Sequence, residues 1–165
     1  MPALEKGRRA PAFTLPGADG KSTWTLQGLL DGKGAVLAFF KTECPTCQLE
    51  FPFVERIGKA LAGRGVALLG IGQSTAAEIA GFRREFGVTF PIAMDGEPHA
   101  VSEAYGLTHV PTLFLVDSTG GIRRTEVGFS KENLEGFLND GCALAGARSP
   151  GLFKATDDVP PIQPG

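Results

Sequence analysis

The sequence predicts an α/β fold, a central mixed sheet flanked by helices. Three observations point to it. Two apolar runs, Ala35 to Phe40 and Val66 to Ile71, have the length and composition of buried strands. Segments of helical periodicity lie between and after them, so strands and helices alternate. Ahead of them stands a short pair of strand-like segments around a turn, a β-hairpin pattern.

Each element has its own signal. Pro11 to Pro16 alternates like a short edge strand, Gly17 to Gly20 turns, and Ser22 to Leu26 is the hairpin partner. Leu29 and Leu30 mark a short helical turn. After the run 35–40 comes a polar turn, then a helix with Leu49, Phe53, Ile57 and Leu61 on one stripe and Val54 and Ala60 beside it. Pro52 falls inside that helix and is expected to kink it. Thr75 and Glu78 form a capping box at the start of a helix carrying Ile79, Phe82 and Phe86, and Gly87 closes it.

Residues 88–93 read as a short strand. Pro98 is expected to start a short helix reaching about Ala104, ended by Gly106. Leu113 to Val116 and Ile122 to Val127 flank the turn 117–121 as a second hairpin. Ser130 caps a last helix with Leu134, Phe137 and Leu138 inward. Tyr105, Trp24 and the phenylalanines are expected in the core. The domain is expected to span 1–145. Residues 146–165, with four prolines and two glycines after Gly146, read as an extended tail that Leu152 and Phe153 dock onto the body.

Composition narrows the function. The 165 residues are 42% hydrophobic and 21% charged, as in a globular domain. A formal net charge of −2 gives no reason to expect nucleic acid or an anionic membrane as a partner. No apolar run approaches the length of a membrane span. Three cysteines are too few for a disulfide scaffold. Residues 1–11 lack the apolar stretch of a secretory signal, so a cytoplasmic location is expected if the chain starts there and an exported one if it was trimmed.

The chemistry concentrates in Cys44-Pro45-Thr46-Cys47, which follows the buried run 35–40. Proline is favoured at the first helical position, which makes Cys44 the N-cap and puts Cys47 one turn inside. Residues three apart share a helix face, at a Cα separation of about 5 Å that a disulfide tolerates. A sulfur at a helix N-terminus meets unpaired N–H groups and the positive end of the dipole, which favour thiolate over thiol. The thiolate is the attacking species in disulfide exchange. Cys44 is therefore the candidate nucleophile and Cys47 the candidate resolving thiol. Half of a zinc site and inert thiols are the bland alternatives. A structural zinc site needs four ligands, and the chain offers only Cys142, His99 and His109 besides.

With these residues in view, the chain resembles the thioredoxin superfamily, and within it the redoxin branch of TlpA/ResA-like thiol–disulfide oxidoreductases and related AhpC/TSA peroxiredoxins. The resemblance runs from about Gly7 to Asn139. It rests on Gly7 to Pro16 with Asp19-Gly20-Lys21, on Cys44-Pro45-Thr46-Cys47, on Pro52, on a helix–strand insertion over 73–93, and on Val110-Pro111-Thr112. It implies a thioredoxin-like fold and a cis bond between Val110 and Pro111, whose turn packs beside the sulfurs and lets the Val110 backbone pair with a substrate strand. It also implies a protein disulfide as substrate, a thiol electron donor, no metal, and no cofactor beyond a redox-active Cys44–Cys47 disulfide. A monomer is expected.

Departures from the family pattern matter. Glu43 stands where many relatives carry Trp, and a carboxylate beside Cys44 disfavours a second negative charge or accepts a proton from Cys47. Ala38 stands where relatives often place a buried acid or amide, so the usual proton relay is missing or rerouted. Lys41 and His109 are further candidate modulators at the site's rim, with Pro45 and Thr46 between the cysteines. Cys142 reads as a bystander. Two other functions stay open. One is a thiol peroxidase with Cys44 as the peroxidatic residue, although Lys41 occupies the place of the usual threonine and Thr42 is one residue out. The other is a copper-binding module using Cys44, Cys47 and His109.

Overall fold

A computed structural model describes residues 2–165. The elements run β1 (Thr14–Pro16), β2 (Thr23–Thr25), α1 (Leu26–Leu29), β3 (Gly34–Phe40), α2 (Pro45–Leu61), β4 (Val66–Gly72), α3 (Ala76–Phe86), β5 (Ile92–Met94), α4 (Ala100–Ala104), β6 (Thr112–Asp117), β7 (Ile122–Val127), β8 (Phe129–Ser130), α5 (Lys131–Leu144) and β9 (Ile162–Gln163). Five strands form the central sheet in the order β5-β4-β3-β6-β7. β3 pairs parallel with β4 and antiparallel with β6, so the sheet is mixed.

β3 is the middle strand and all seven of its residues are buried. That explains a run with no polar alternation: both faces are covered. Val36, Ala38 and Phe40 face α2, α3 and α5, together with Leu152. Ala35, Leu37 and Phe39 face the N-terminal segment, the β1–β2 hairpin, α1 and Tyr105. The three long helices therefore share one side, and the first thirty or so residues with the α4 region close the other.

Local chemistry sets the helix ends. Thr75 and Glu78 cap α3 reciprocally, and Gly87 ends it in the left-handed conformation at φ 68°. Ser130 caps α5 through the N–H of Asn133. Pro52 lies inside α2, where it cannot donate to the carbonyl of Gln48.

Some expectations need correction. α4 begins at Ala100 and not at Pro98: the Glu97–Pro98 bond is cis, and His99 caps the helix at φ 61°. Leu49 is half-exposed, whereas Phe51, two positions from both Leu49 and Phe53 on the expected stripe, is fully buried against Phe40, Phe82 and Phe90. Trp24 is only partly buried. The segment after α5 pairs with the body through β8 and β9. No helix among the described residues is long and apolar enough to cross a membrane.

Candidate active site

The site begins where β3 hands over to α2. Cys44 is the N-cap at φ −78° and ψ 117°, and Pro45 is the first helical residue. The Cys47 N–H donates to Cys44 Sγ at 3.3 Å. On the other side the Cys44 thiol lies 3.4 Å from the carbonyl oxygen of Val110. Val110 and Pro111 are joined by a cis bond, and the Thr112 hydroxyl donates to the His109 carbonyl across the same turn. The leading sulfur is thus held between a backbone donor and a backbone acceptor at the carboxyl end of β3.

The turn carrying Cys44 is tied down locally. The Cys44 N–H donates to the Lys41 carbonyl and the Gln48 side chain donates to the Thr42 carbonyl. The Thr42 N–H donates to Ser74 Oγ, which links this turn to the one after β4.

The two sulfurs differ in exposure. Cys44 is half-buried and Cys47 fully buried. Burial pushes the Cys47 thiol well above the usual range, and its contact with Cys44 adds to this. One turn beyond Cys47 lies Glu50, fully buried, with neither carboxyl oxygen hydrogen-bonded among the described residues. Burial drives its pKa well above that of an ordinary glutamate, helped by Cys44 and then by Glu126. A buried carboxyl without partners takes up a proton rather than hold its charge. Reading the sequence missed Glu50. Its spacing was the signal: three residues after Cys47 and four before Val54, it falls on the inward face of α2.

The other expected residues sort by position. Thr46 is buried, its hydroxyl donating to the Pro164 carbonyl and accepting from the Gln163 amide. Pro45 and Glu43 are exposed, and Glu43 accepts from the Thr42 hydroxyl. Lys41 is half-buried. His109 is exposed, with its ring engaged to Thr108. Cys142 is buried on α5 among Leu134, Leu138 and their neighbours. No three His, Cys, Asp or Glu side chains converge as a metal site among the described residues.

Comparison with known proteins places this geometry. The Redoxin family model matches residues 5–139. The thiol–disulfide oxidoreductase ResA of Bacillus thuringiensis (strain Al Hakam) is 30% identical over 137 residues, which cover 82% of this chain and 78% of that protein. ResA of Bacillus subtilis is 31% identical over 134 residues, 80% of this chain and 73% of the relative. A crystal structure from Chlorobium tepidum, provisionally named a thiol:disulfide interchange protein DsbE, superposes with a TM-score of 0.77 at 26% identity, over 87% of this chain and 100% of the other. The five-stranded mixed sheet, the C-x-x-C at the head of α2 and these matches agree: the chain belongs to the Redoxin family, on its TlpA/ResA-like, thiol–disulfide oxidoreductase branch of the thioredoxin superfamily.

Proposed function

We propose that Cys44 is the nucleophile and Cys47 the resolving thiol of a dithiol that reduces or exchanges disulfides in partner polypeptides. The observation that carries this reading is the pairing of unlike sulfurs. Cys44 is reachable and accepts the Cys47 N–H, while Cys47 is sealed behind it. Cys44 attacks a substrate disulfide, forms a mixed disulfide and expels the first substrate thiol. Cys47, giving up its proton, attacks Cys44 Sγ, forms the Cys44–Cys47 disulfide and releases the second. Two electrons pass from the dithiol to the substrate, and an external thiol reductant restores the pair.

Glu50 is the rerouted acid in this scheme. The resolving step needs a proton acceptor next to a buried thiol, and Glu50, one turn along the same helix from Cys47, is the carboxyl placed to serve. Val110 and Pro111 shape the wall against which Cys44 works. Glu43 and His109 are exposed and adjoin Cys44 and Val110 in the chain, and Lys41 is half-buried three residues before Cys44. Substrate disulfides form in oxidising compartments, which favours an exported protein over a cytoplasmic one. The Thr42 hydroxyl is engaged with Glu43 and Ser74, which favours exchange over the peroxidase reading.

The test is reduction of insulin with a thiol donor, alongside the reduction potential of the Cys44–Cys47 pair. Turnover that vanishes in Cys44→Ser supports the proposal. Turnover that survives this substitution defeats it.

A further inference from the structure

The segment after α5 does not trail away from the body. Leu152 is buried, and the N–H groups of Leu152 and Phe153 both donate to the Glu135 carboxylate at 2.9 Å. The Phe153 ring packs on Phe53 with centroids 4.7 Å apart. Arg56 grips Asp157 through two hydrogen bonds, 2.7 and 2.9 Å, and also donates to the Leu152 carbonyl. These contacts anchor residues 152–157 to α2 and α5.

From that anchor the chain runs to the sulfur. The Lys131 N–H donates to the Pro161 carbonyl, and β9 pairs antiparallel with β8. The Gln163 amide donates to the Thr46 hydroxyl at 2.9 Å, and that hydroxyl donates to the Pro164 carbonyl at 2.6 Å. Gly165 then sits so close to Val110 that a Cβ there would collide with the Val110 carbonyl oxygen. That oxygen is the one facing the Cys44 thiol. Residues 161–165 therefore cross from β8, over Thr46 between the two cysteines, to the wall beside the nucleophile.

We infer that residues 161–165 occupy the place a partner polypeptide takes beside Cys44, so that the chain's own tail competes with its disulfide substrates. The inference rests on the dithiol reading above for what the partner is. The way the segment binds is generic: an extended backbone added to a short strand, with two polar contacts to Thr46. Its attachment is light. Ile162 is 70% exposed, so the strand holds by backbone and one side chain, not by a buried anchor. Pro160, Pro161 and Pro164 pre-set the extended form and lower its ordering cost. The firm anchor at 152–157 keeps the light segment at high local concentration, which makes it a standing competitor that a longer partner strand displaces. The tail has no cysteine, so it cannot be consumed by the site it covers.

The test compares the full chain with one stopped after Pro160, and with a third in which residues 161–165 are a Gly/Ser run of the same length. Two readouts are taken on reduced protein: the alkylation rate of Cys44 by iodoacetamide and kcat/KM with insulin as disulfide substrate. Both should rise about tenfold in the two altered chains, because the contacts this segment makes with β8 and Thr46 no longer have to break. A synthetic peptide of residues 159–165 should slow both again. Rates within about twofold of the full chain, in altered chains whose thermal midpoint is unchanged, overturn the inference. So does faster alkylation with unchanged kcat/KM in active protein, because the segment would then shield the sulfur without holding the partner's place. Faster alkylation with no turnover in any chain would leave the covering intact and sink the dithiol reading.

Discussion

The Cys44 thiol and the Val110 carbonyl meet at 3.4 Å although 66 residues separate them in the chain. The contact joins the head of α2 to the turn before β6, and so it depends on β3 and β6 lying side by side in the sheet. The nucleophile's surroundings are thus a product of sheet order. Local sequence makes the N-cap, and the topology supplies the wall.

Replacing either sulfur separates the two chemical steps. Cys44→Ser removes the attacking atom, and insulin reduction should fall to the uncatalysed rate. Cys47→Ser leaves attack possible and resolution impossible. That variant should accumulate a mixed disulfide with its substrate, seen as an added mass that a reductant removes. A Cys47→Ser protein that turns over normally would show that Cys47 is not the resolving thiol.

Glu50 makes a pH-dependent prediction whose sign follows from its burial. Its carboxyl is held well above 4.5 in the folded protein, so the folded state keeps a proton that the unfolded chain releases. Stability then falls as pH rises from about 4.5 to the folded-state value, because the native state binds more protons over that window. Glu50→Gln removes the titration. Urea midpoints of the reduced proteins should match at pH near 4, with the variant increasingly ahead as pH rises. In the same variant the resolving step loses its proton acceptor, and turnover should drop on the order of a hundredfold near neutral pH. Parallel stability curves would show that Glu50 does not carry the proton.

What the sequence displayed and what it hid divide along physical lines. Cys44 and Pro45 could be read as cap and first turn because capping is local chemistry. The runs at β3 and β4 were visible because strands buried on both faces lose their polar alternation. The cis bond at Val110–Pro111 came only through resemblance, since the residues themselves permit either isomer. Glu50 was hidden because a charged side chain inside a helix usually faces water, and spacing alone had to argue otherwise. The start of α4 was misplaced because proline's preference for a first turn gave way to a cis bond at Pro98 and a left-handed His99. β9 left no pattern at all: two residues are too few for alternation, and they bind mainly through backbone.

The aromatic cluster under the site gives a stability prediction. Phe51 is fully buried on α2, with its ring 4.5 Å from Phe40 and 5.5 Å from Phe82. It joins β3, α2 and α3 behind the cysteines. Phe51→Ala removes the ring and leaves a cavity that these elements cannot close. Urea unfolding should show a loss of about 3–5 kcal/mol, at the upper end for a single core change. A loss below about 1 kcal/mol would mean the site's floor does not rest on this ring.

Ser74 tests whether the turn bearing Cys44 is held from outside. Its hydroxyl oxygen accepts from the Thr42 N–H at 3.1 Å and lies 3.3 Å from the Thr42 hydroxyl oxygen. Thr42 is two residues before the nucleophile, so the turn after β4 steadies the turn after β3. Ser74→Ala leaves a half-buried N–H without its acceptor, which costs about 1 kcal/mol of stability. If the contact also positions Cys44, kcat should fall several-fold while KM stays level, because a displaced nucleophile loses rate more than binding. Ser74→Thr keeps the oxygen and should restore both values. Equal kcat in Ser74→Ala and the parent protein, with the stability loss present, would confine Ser74 to the fold and leave Cys44 positioned by its other contacts, among them Val110 and the Cys47 N–H.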